Sequence, residues 1–183
     1  MRAVMNEHDE ITALCHGDRE AWTGFYERVY PTMLAYARRR LGSRDAASDA
    51  VAEALARTVA TVARMSSLDV SPEAWAYGIL RHVVHDVWRR RGRERRSVVP
   101  LSPAGPDPTE SVGLSDEHRV VRQAFNQLSG ADREVLELRV IAHLSSEEVA
   151  AILDMSPGAV RMAQARALTR LRATLMSDGE DDD

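Results

Sequence analysis

Arg161, Met162, Ala165, Arg166 and Thr169 recur at intervals of one, three and four residues. On a helix that spacing gathers them on one face, where two guanidinium groups between small side chains can reach base edges or the phosphates beside them. A second set, Tyr77, Arg81, Val84, His85 and Trp88, repeats at the same period and runs into an arginine cluster from Arg89 to Arg96. Rings interleaved with arginine suit unpaired nucleic acid: rings stack on bases, at ~1–3 kcal/mol per base, and arginine neutralises phosphate. The competing reading packs Val84 and Trp88 on a neighbouring helix and leaves the arginines to solvate the surface. A third set is acidic. Asp49 and Glu53 stand one turn apart beside Ala56, Arg57 and Ala60. A flat alanine surface next to charge can dock another helix, or it can simply face water; periodicity leaves both open.

Other chemistry is excluded or unsupported. His82, His85 and Asp86 share a helical face, but no fourth ligand has suggestive spacing, so no metal is expected. No glycine-rich phosphate loop, nucleophile elbow or paired-carboxylate site occurs, so neither a cofactor nor a catalytic site is expected. Cys15 is the single cysteine; it excludes an intramolecular disulfide, reads as a buried thiol and fits a reducing cytoplasm.

The elements that must position these residues are all helical, since long segments of period 3.6 dominate and turn-bounded β-branched runs are absent. Four helices are expected before residue 97: about 6–16; about 18–41, with Trp22, Phe25, Val29, Met33, Tyr36, Ala37 and Leu41 inside; about 44–65, with Val51, Leu55, Val59 and Val62 inside; and about 72–92, with Trp75, Ile79, Val83 and Val87 inside. Gly42 ends the second, Ser43 caps the third and Ser71-Pro72 starts the fourth. Residues 97–115 contain four prolines and two glycines, a composition that reads as a flexible linker. Four more helices follow, near 115–128, 131–142, 146–153 and 157–175. Ser145 with Glu148 forms a capping box, and Ser156-Pro157 opens the last helix. Val149, Ile152 and Leu153 lie on the inner face of the seventh; Val160, Gln164, Ala167 and Leu171 lie on that of the eighth. The pair reads as a helix-turn-helix whose second helix enters the major groove. The fold class is therefore all-α: two small helical domains, 1–96 and 116–176, joined by the linker and followed by an acidic tail, 177–183.

The net charge of −4 conceals an uneven distribution. Residues 77–96 hold seven arginines against two acids, residues 156–176 hold four arginines and no acid, and residues 178–183 hold five acids. Two basic faces imply two nucleic-acid contacts. The acidic tail either solubilises the chain or competes with DNA for those faces. All 24 basic residues are arginine, which most simply reflects a GC-rich genome, although arginine also suits phosphate and guanine recognition. No run of 18 apolar residues and no secretory h-region is present, so no membrane insertion is expected. Nothing before Met5 reads as structured, so Met5 stands beside Met1 as a candidate start.

Taken in order, the segments GDREAWTGFYERVYPTMLAYARRRLG, RDAASDAVAEAL, SPEAWAYGILRHVVHDVWRRRGR and FNQLSGADREVLELRVIAHLSSEEVAAILDMSPGAVRMAQARALTRLR resemble an extracytoplasmic-function (group 4) sigma factor of bacterial RNA polymerase. They correspond to that family's regions 2.1, 2.2, 2.3 to 2.4, and 4, and the resemblance covers nearly the whole chain. It implies a protein that binds core polymerase, directs it to promoters and helps open the -10 element. The implied partners are the clamp helices of the largest polymerase subunit, the flap of the second-largest, and promoter DNA. Many members of the family are held by an anti-sigma factor, although no residue here identifies one.

The resemblance also assigns residues. Asp49 and Glu53, with Arg57 beside them, match the core-binding positions; Ala52 stands where the family often has Gln. Tyr77, Arg81, His82, His85 and Arg89, with Trp88, match the helix facing the -10 strand, and His82 replaces a common Asn. The loop Met65–Ser71, including Ser66 and Ser67, matches the loop that captures a flipped -10 base. Arg139 and Ser145 match positions that contact the DNA backbone at the -35 element. Ser156, Gly158, Ala159, Arg161, Met162, Ala165 and Arg166 match the -35 reading helix. Ala163 and Ala165 replace frequent Arg and His, so direct base reading is expected to be sparse. Asp154 replaces the usual turn glycine, a substitution an aspartate tolerates.

Three other classes compete with this one. A stand-alone, dimeric helix-turn-helix regulator explains the second half of the chain but not the acidic patch or the aromatic-basic helix. A small metal hydrolase would need His82, His85 and Asp86 to hold zinc. An RNA-binding adaptor would bind unrelated RNAs as well as it binds promoter DNA.

Overall fold

The structure is a computed structural model and describes residues 7–62, 70–95 and 116–178. The expectations for Ser66 and Ser67, for the linker and for the end of the acidic tail lie outside the described residues. The chain forms two compact units, residues 1–106 and 107–183. Among the described residues every regular element is helical.

The first unit holds α1 (Glu7–Cys15), α2 (Arg19–Leu41), α3 (Arg44–Thr61) and α4 (Pro72–Arg95). Its boundaries follow from local chemistry. Asp18 caps α2 by accepting from the Ala21 amide at 2.8 Å, and Gly42 ends it in a left-handed conformation at φ 65°. Ser43 and Ser71 cap α3 and α4 through the amides of Ala46 and Ala74. α2 contributes Phe25, Val29, Met33, Tyr36, Ala37 and Leu41 to the core as its spacing predicts. Trp22 is half-buried rather than enclosed; its indole donates to the Leu14 carbonyl at 3.1 Å and its ring meets Phe25 edge-on. Cys15 is likewise half-buried, its thiol directed at the Val62 carbonyl.

α3 and α4 follow their expected stripes in part: Val51, Val62 and Val83 are buried as expected. α3 buries Ala47, Ala50, Val51, Ala54 and Thr58, whereas Val59, expected inside, is 52% exposed. Its alanines let α2 and α4 approach closely, and the space goes to larger groups on α4. That helix buries Ala76, Tyr77, Leu80, Val83 and Val84, while Trp75, Ile79 and Val87 are only half-buried. Tyr77 packs edge-on against Tyr36 at 5.9 Å and 83°, a favoured aromatic geometry. Arg28 of α2 closes the outside by bridging Glu10 of α1 (2.5 Å) and Glu73 of α4 (2.9 Å). Burial pulls its guanidinium downward, but the hydrogen bonds to Glu10 and Glu73 outweigh that and hold it above its ordinary range.

The second unit holds α5 (Asp116–Gln127), α6 (Gly130–Leu136), a π-helical turn (Glu137–Ile141), α7 (Ser146–Leu153) and α8 (Pro157–Asp178). Leu128, Leu136 and Ala167 pack together with Phe125 and Leu168 against them. Val135, Leu138, Leu144, Val149 and Val160 are also fully buried. Ile152, Leu153, Gln164 and Leu171, expected inside, are half-buried, and Ala163 is enclosed instead. Where one helix over 131–142 is expected, α6 passes into the π turn, with the Ala142 amide donating to the Glu137 carbonyl at 2.9 Å. Asp132 is only 5% exposed and pairs with Arg170 of α8, which ties α6 to the last helix.

Candidate functional site

Three exposed faces carry the residues that could do chemistry. The first is the outer face of α8. The capping box is present in both directions: the Ser145 hydroxyl accepts from the Glu148 amide at 3.1 Å, and the Ser145 amide donates to the Glu148 carboxylate at 2.7 Å. α7 then ends at Asp154 in the left-handed region, at φ 56° and ψ 50°. Asp is among the few non-glycine residues that take this conformation readily. Ser156 accepts from the Ala159 amide at 3.2 Å and α8 begins at Pro157. These caps set where the last helix starts and which way it faces. Arg161, Met162, Ala165, Arg166 and Thr169 all lie on its solvent side. Ser156 is exposed, and Gly158 and Ala159 are half-buried at the helix start. Arg161 reaches Glu147 of α7 at 3.4 Å, an exposed pair worth at most ~1 kcal/mol and easily exchanged for an anion.

Two residues expected to touch the DNA backbone here are engaged internally. The Ser145 hydroxyl serves the cap. Arg139 donates from Nε to the Gln164 side-chain oxygen at 3.0 Å and from a terminal nitrogen to the Leu144 carbonyl. Regular helical spacing gave no hint of this, because Arg139 sits inside the π turn.

The second face belongs to α4. His82, His85, Trp88 and Arg89 are exposed and Arg81 is half-buried. The expectation that Tyr77 and Val84 share this outward side is corrected: they are 3% and 5% exposed, because α4 turns them toward α2 and α3. Trp88 satisfies part of each reading made from the sequence. Its indole nitrogen donates to the Arg40 carbonyl at 2.8 Å, anchoring it to the end of α2, yet the side chain stays 57% exposed. Asp86 pairs with Arg89 at 2.8 Å. That hydrogen bond, helped by the charges of Arg57 and Arg90 against slight desolvation, holds its carboxyl below the usual range. Among the described residues no group of three or more His, Cys, Asp or Glu side chains is arranged to hold a metal ion.

The third face is on α3. Asp49, Glu53, Ala56, Arg57 and Ala60 are all exposed. Glu53 and Arg57 pair at 2.8 Å across one turn. Asp49, Glu53 and Arg57 form one wall of an open cavity of about 450 Å³, and Val83, Asp86, Val87 and Arg90 of α4 form the other. Sequence spacing identified the α3 wall and missed the α4 wall, since only packing brings the two helices side by side. Among the described residues no helix is long and apolar enough to cross a membrane.

Comparison with known proteins finds a family match in each unit. Residues 25–94 match the sigma-70 region 2 family and residues 118–171 match sigma-70 region 4. The chain is 32% identical to the ECF RNA polymerase sigma factor SigD of Mycobacterium tuberculosis over 172 residues, spanning 90% of this chain and 81% of that one. It is 34% identical to the ECF RNA polymerase sigma factor ShbA of Streptomyces griseus over 184 residues, spanning 92% and 96%. Its fold is similar to that of the sigma factor RpoE from Bartonella quintana, solved in complex with the anti-sigma factor NepR (TM-score 0.65, 26% identity, 87% of this chain and 99% of that one). It also shares the fold of CnrH, solved with the cytosolic domain of CnrY (TM-score 0.62, 20% identity, 94% and 98%). With region 2 on the unit that carries the acidic and aromatic-basic faces, and region 4 on the unit that carries the helix-turn-helix, the chain belongs to the extracytoplasmic-function group of sigma-70 family RNA polymerase sigma factors.

Proposed function

We propose that the three faces divide the work of promoter recognition. The α3 face, through Asp49, Glu53 and Arg57, docks the clamp helices of the largest polymerase subunit, while the second unit meets the flap of the second-largest. The α4 face, through Arg81, His82, His85, Trp88 and Arg89, holds the unpaired strand of the -10 element. Ser66 and Ser67 belong to the loop assigned to the flipped base. The α8 face reads duplex -35 DNA, with Arg161 and Arg166 supplying guanine or phosphate contacts and Ser156, Gly158, Ala159, Met162 and Ala165 shaping the approach. Gly158 favours close passage of the backbone, since nothing lies within 4 Å of where its side chain would be. The polymerase supplies the metal and the chemistry; this chain supplies specificity and acts where the polymerase is, in the cytoplasm. An anti-sigma factor is the further partner class, as for the RpoE relative.

The observation that carries this reading is the α8 face, whose two arginines and small neighbours are presented outward by a fully capped helix-turn-helix. Its test is run-off transcription with core polymerase on duplexes selected from a randomised library by the assembled holoenzyme. The expected result is a discrete transcript that depends on this chain. Arg161→Ala is expected to cost ~1–3 kcal/mol at one upstream base pair, as for a bidentate arginine–guanine contact. An unchanged footprint would remove Arg161 from that role, and absence of the transcript would overturn the whole reading.

A further inference from the structure

We propose that Arg139 is a positioning residue for the reading helix: it sets the rotation of α8 through Gln164 and does not act by touching a phosphate. The inference rests on the promoter-reading role of α8 given above. Arg139 lies in the π turn, where the Ala142 amide reaches back five residues to Glu137 and shifts the local register. From there its guanidinium spans α8 and the approach to α7, inside the exposed Arg161–Glu147 pair that also links those two helices. Nε donates to Gln164 in the middle of α8, and a terminal nitrogen donates to the Leu144 carbonyl, one residue before the Ser145 cap of α7. The Leu144 amide in turn donates to the Leu138 carbonyl at 3.0 Å, so this anchor point is itself fixed.

The lever is short. Gln164 lies between Ala163, which is buried, and Ala165, which is exposed, so a tether there opposes rotation of α8 about its axis. On a helix about 10 Å across, a turn of ~10° moves side-chain tips by ~1 Å. That displacement is enough to spoil hydrogen bonds from Arg161 and Arg166 to base edges, which must be placed within roughly half an ångström. The role needs arginine, because two acceptors in different directions require its planar fork; a lysine ammonium has the charge and not the geometry.

The test uses holoenzyme assembled from core polymerase and the full chain. The probes are the duplex selected above and copies with single transversions across its upstream element. Arg139→Lys and Gln164→Leu are each expected to lower the preference for the selected duplex roughly tenfold. The double variant should be no worse than the weaker single one, as for residues acting as one unit. Arg139→Gln should leave the slope of log affinity against log salt at its wild-type value, because no phosphate contact is lost. A slope shallower by about 0.9 would overturn the proposal, since that is the signature of one phosphate contact. So would wild-type preference in Arg139→Lys, or additive losses in the double variant. Should the Arg139 variants fail to fold, Gln164→Leu alone decides, and its retaining full preference overturns the role. A wild-type holoenzyme without any upstream preference would instead overturn the reading beneath it.

Discussion

The two units hold their working faces in place by different means. In the second unit, the start and direction of the reading helix come from bonds between near neighbours, the Ser145–Glu148 box, the left-handed Asp154 and the Ser156 cap, with Arg139–Gln164 and Asp132–Arg170 as distant ties that hold it in place. In the first unit, the corresponding faces depend on groups far apart in the chain. Trp88 is anchored to Arg40, Tyr77 leans on Tyr36, and Arg28 joins Glu10 to Glu73. A face built from caps survives loss of distant packing better than a face built from three helices meeting edge to edge. The first unit should therefore respond to core substitutions with lost function, whereas the second should respond to changes at its turns.

The largest expected effect separates these cases. Tyr77→Ala should destabilise the first unit by ~3–5 kcal/mol in urea melts, as for truncation of a large buried aromatic, and Tyr77→Phe, which keeps the ring, should cost far less and keep promoter opening. If Tyr77→Ala instead folds normally and loses only -10 opening, Tyr77 is a DNA contact and the packing account of α4 is wrong. Next in size, Asp49→Arg with Glu53→Arg should weaken core-polymerase binding by roughly tenfold or more through like-charge or unpaired contacts, with an unchanged melt because both residues are exposed. Undiminished capture of core polymerase would take the docking role away from α3. Ser145→Ala should cost the second unit about 1 kcal/mol and leave the first unit's melt untouched. A cost spread over both units would contradict their different modes of support.

The smallest effect is electrostatic. With the Arg89 hydrogen bond holding the Asp86 carboxyl low, its titration by carbonyl NMR should fall below the ordinary aspartate range, and Arg89→Gln should bring it back up. The sign follows: this carboxylate's contribution is present above the unfolded aspartate pKa and fades as pH drops through the lowered folded value. An Asp86 that titrates normally would mean the pair does not persist in solution.

The same contrast decides what could be read from the chain alone. Helix ends were legible because capping is local: Gly42, Ser43, Ser71, Ser145 and Ser156 each act within a few residues. So was the outer face of α8, where five exposed positions follow one period. Helix rotation was legible on α2, whose expected stripe from Phe25 to Leu41 is buried, but only in part on α3 and α4. α3 is lined with alanines, so its apolar stripe is too weak to say which side faces inward, and Val59 was misplaced for that reason. On α4, Val83 and Val84 are both buried, so the core-facing arc is wider than one stripe, and only Tyr36 opposite explains why Tyr77 belongs to it. The π turn was hidden as well, since one extra residue in a turn leaves no mark on composition, and with it went the internal engagement of Arg139.

The central claim is that one chain presents separate surfaces to the polymerase, to unpaired bases and to paired bases. Mapping transcript 5′ ends from core polymerase on genomic DNA, with and without this chain, tests it most directly. The account predicts a set of new start sites that share two spaced upstream elements, lost when Asp49 and Glu53 are both changed to arginine. Start sites identical to those of core polymerase alone would contradict it.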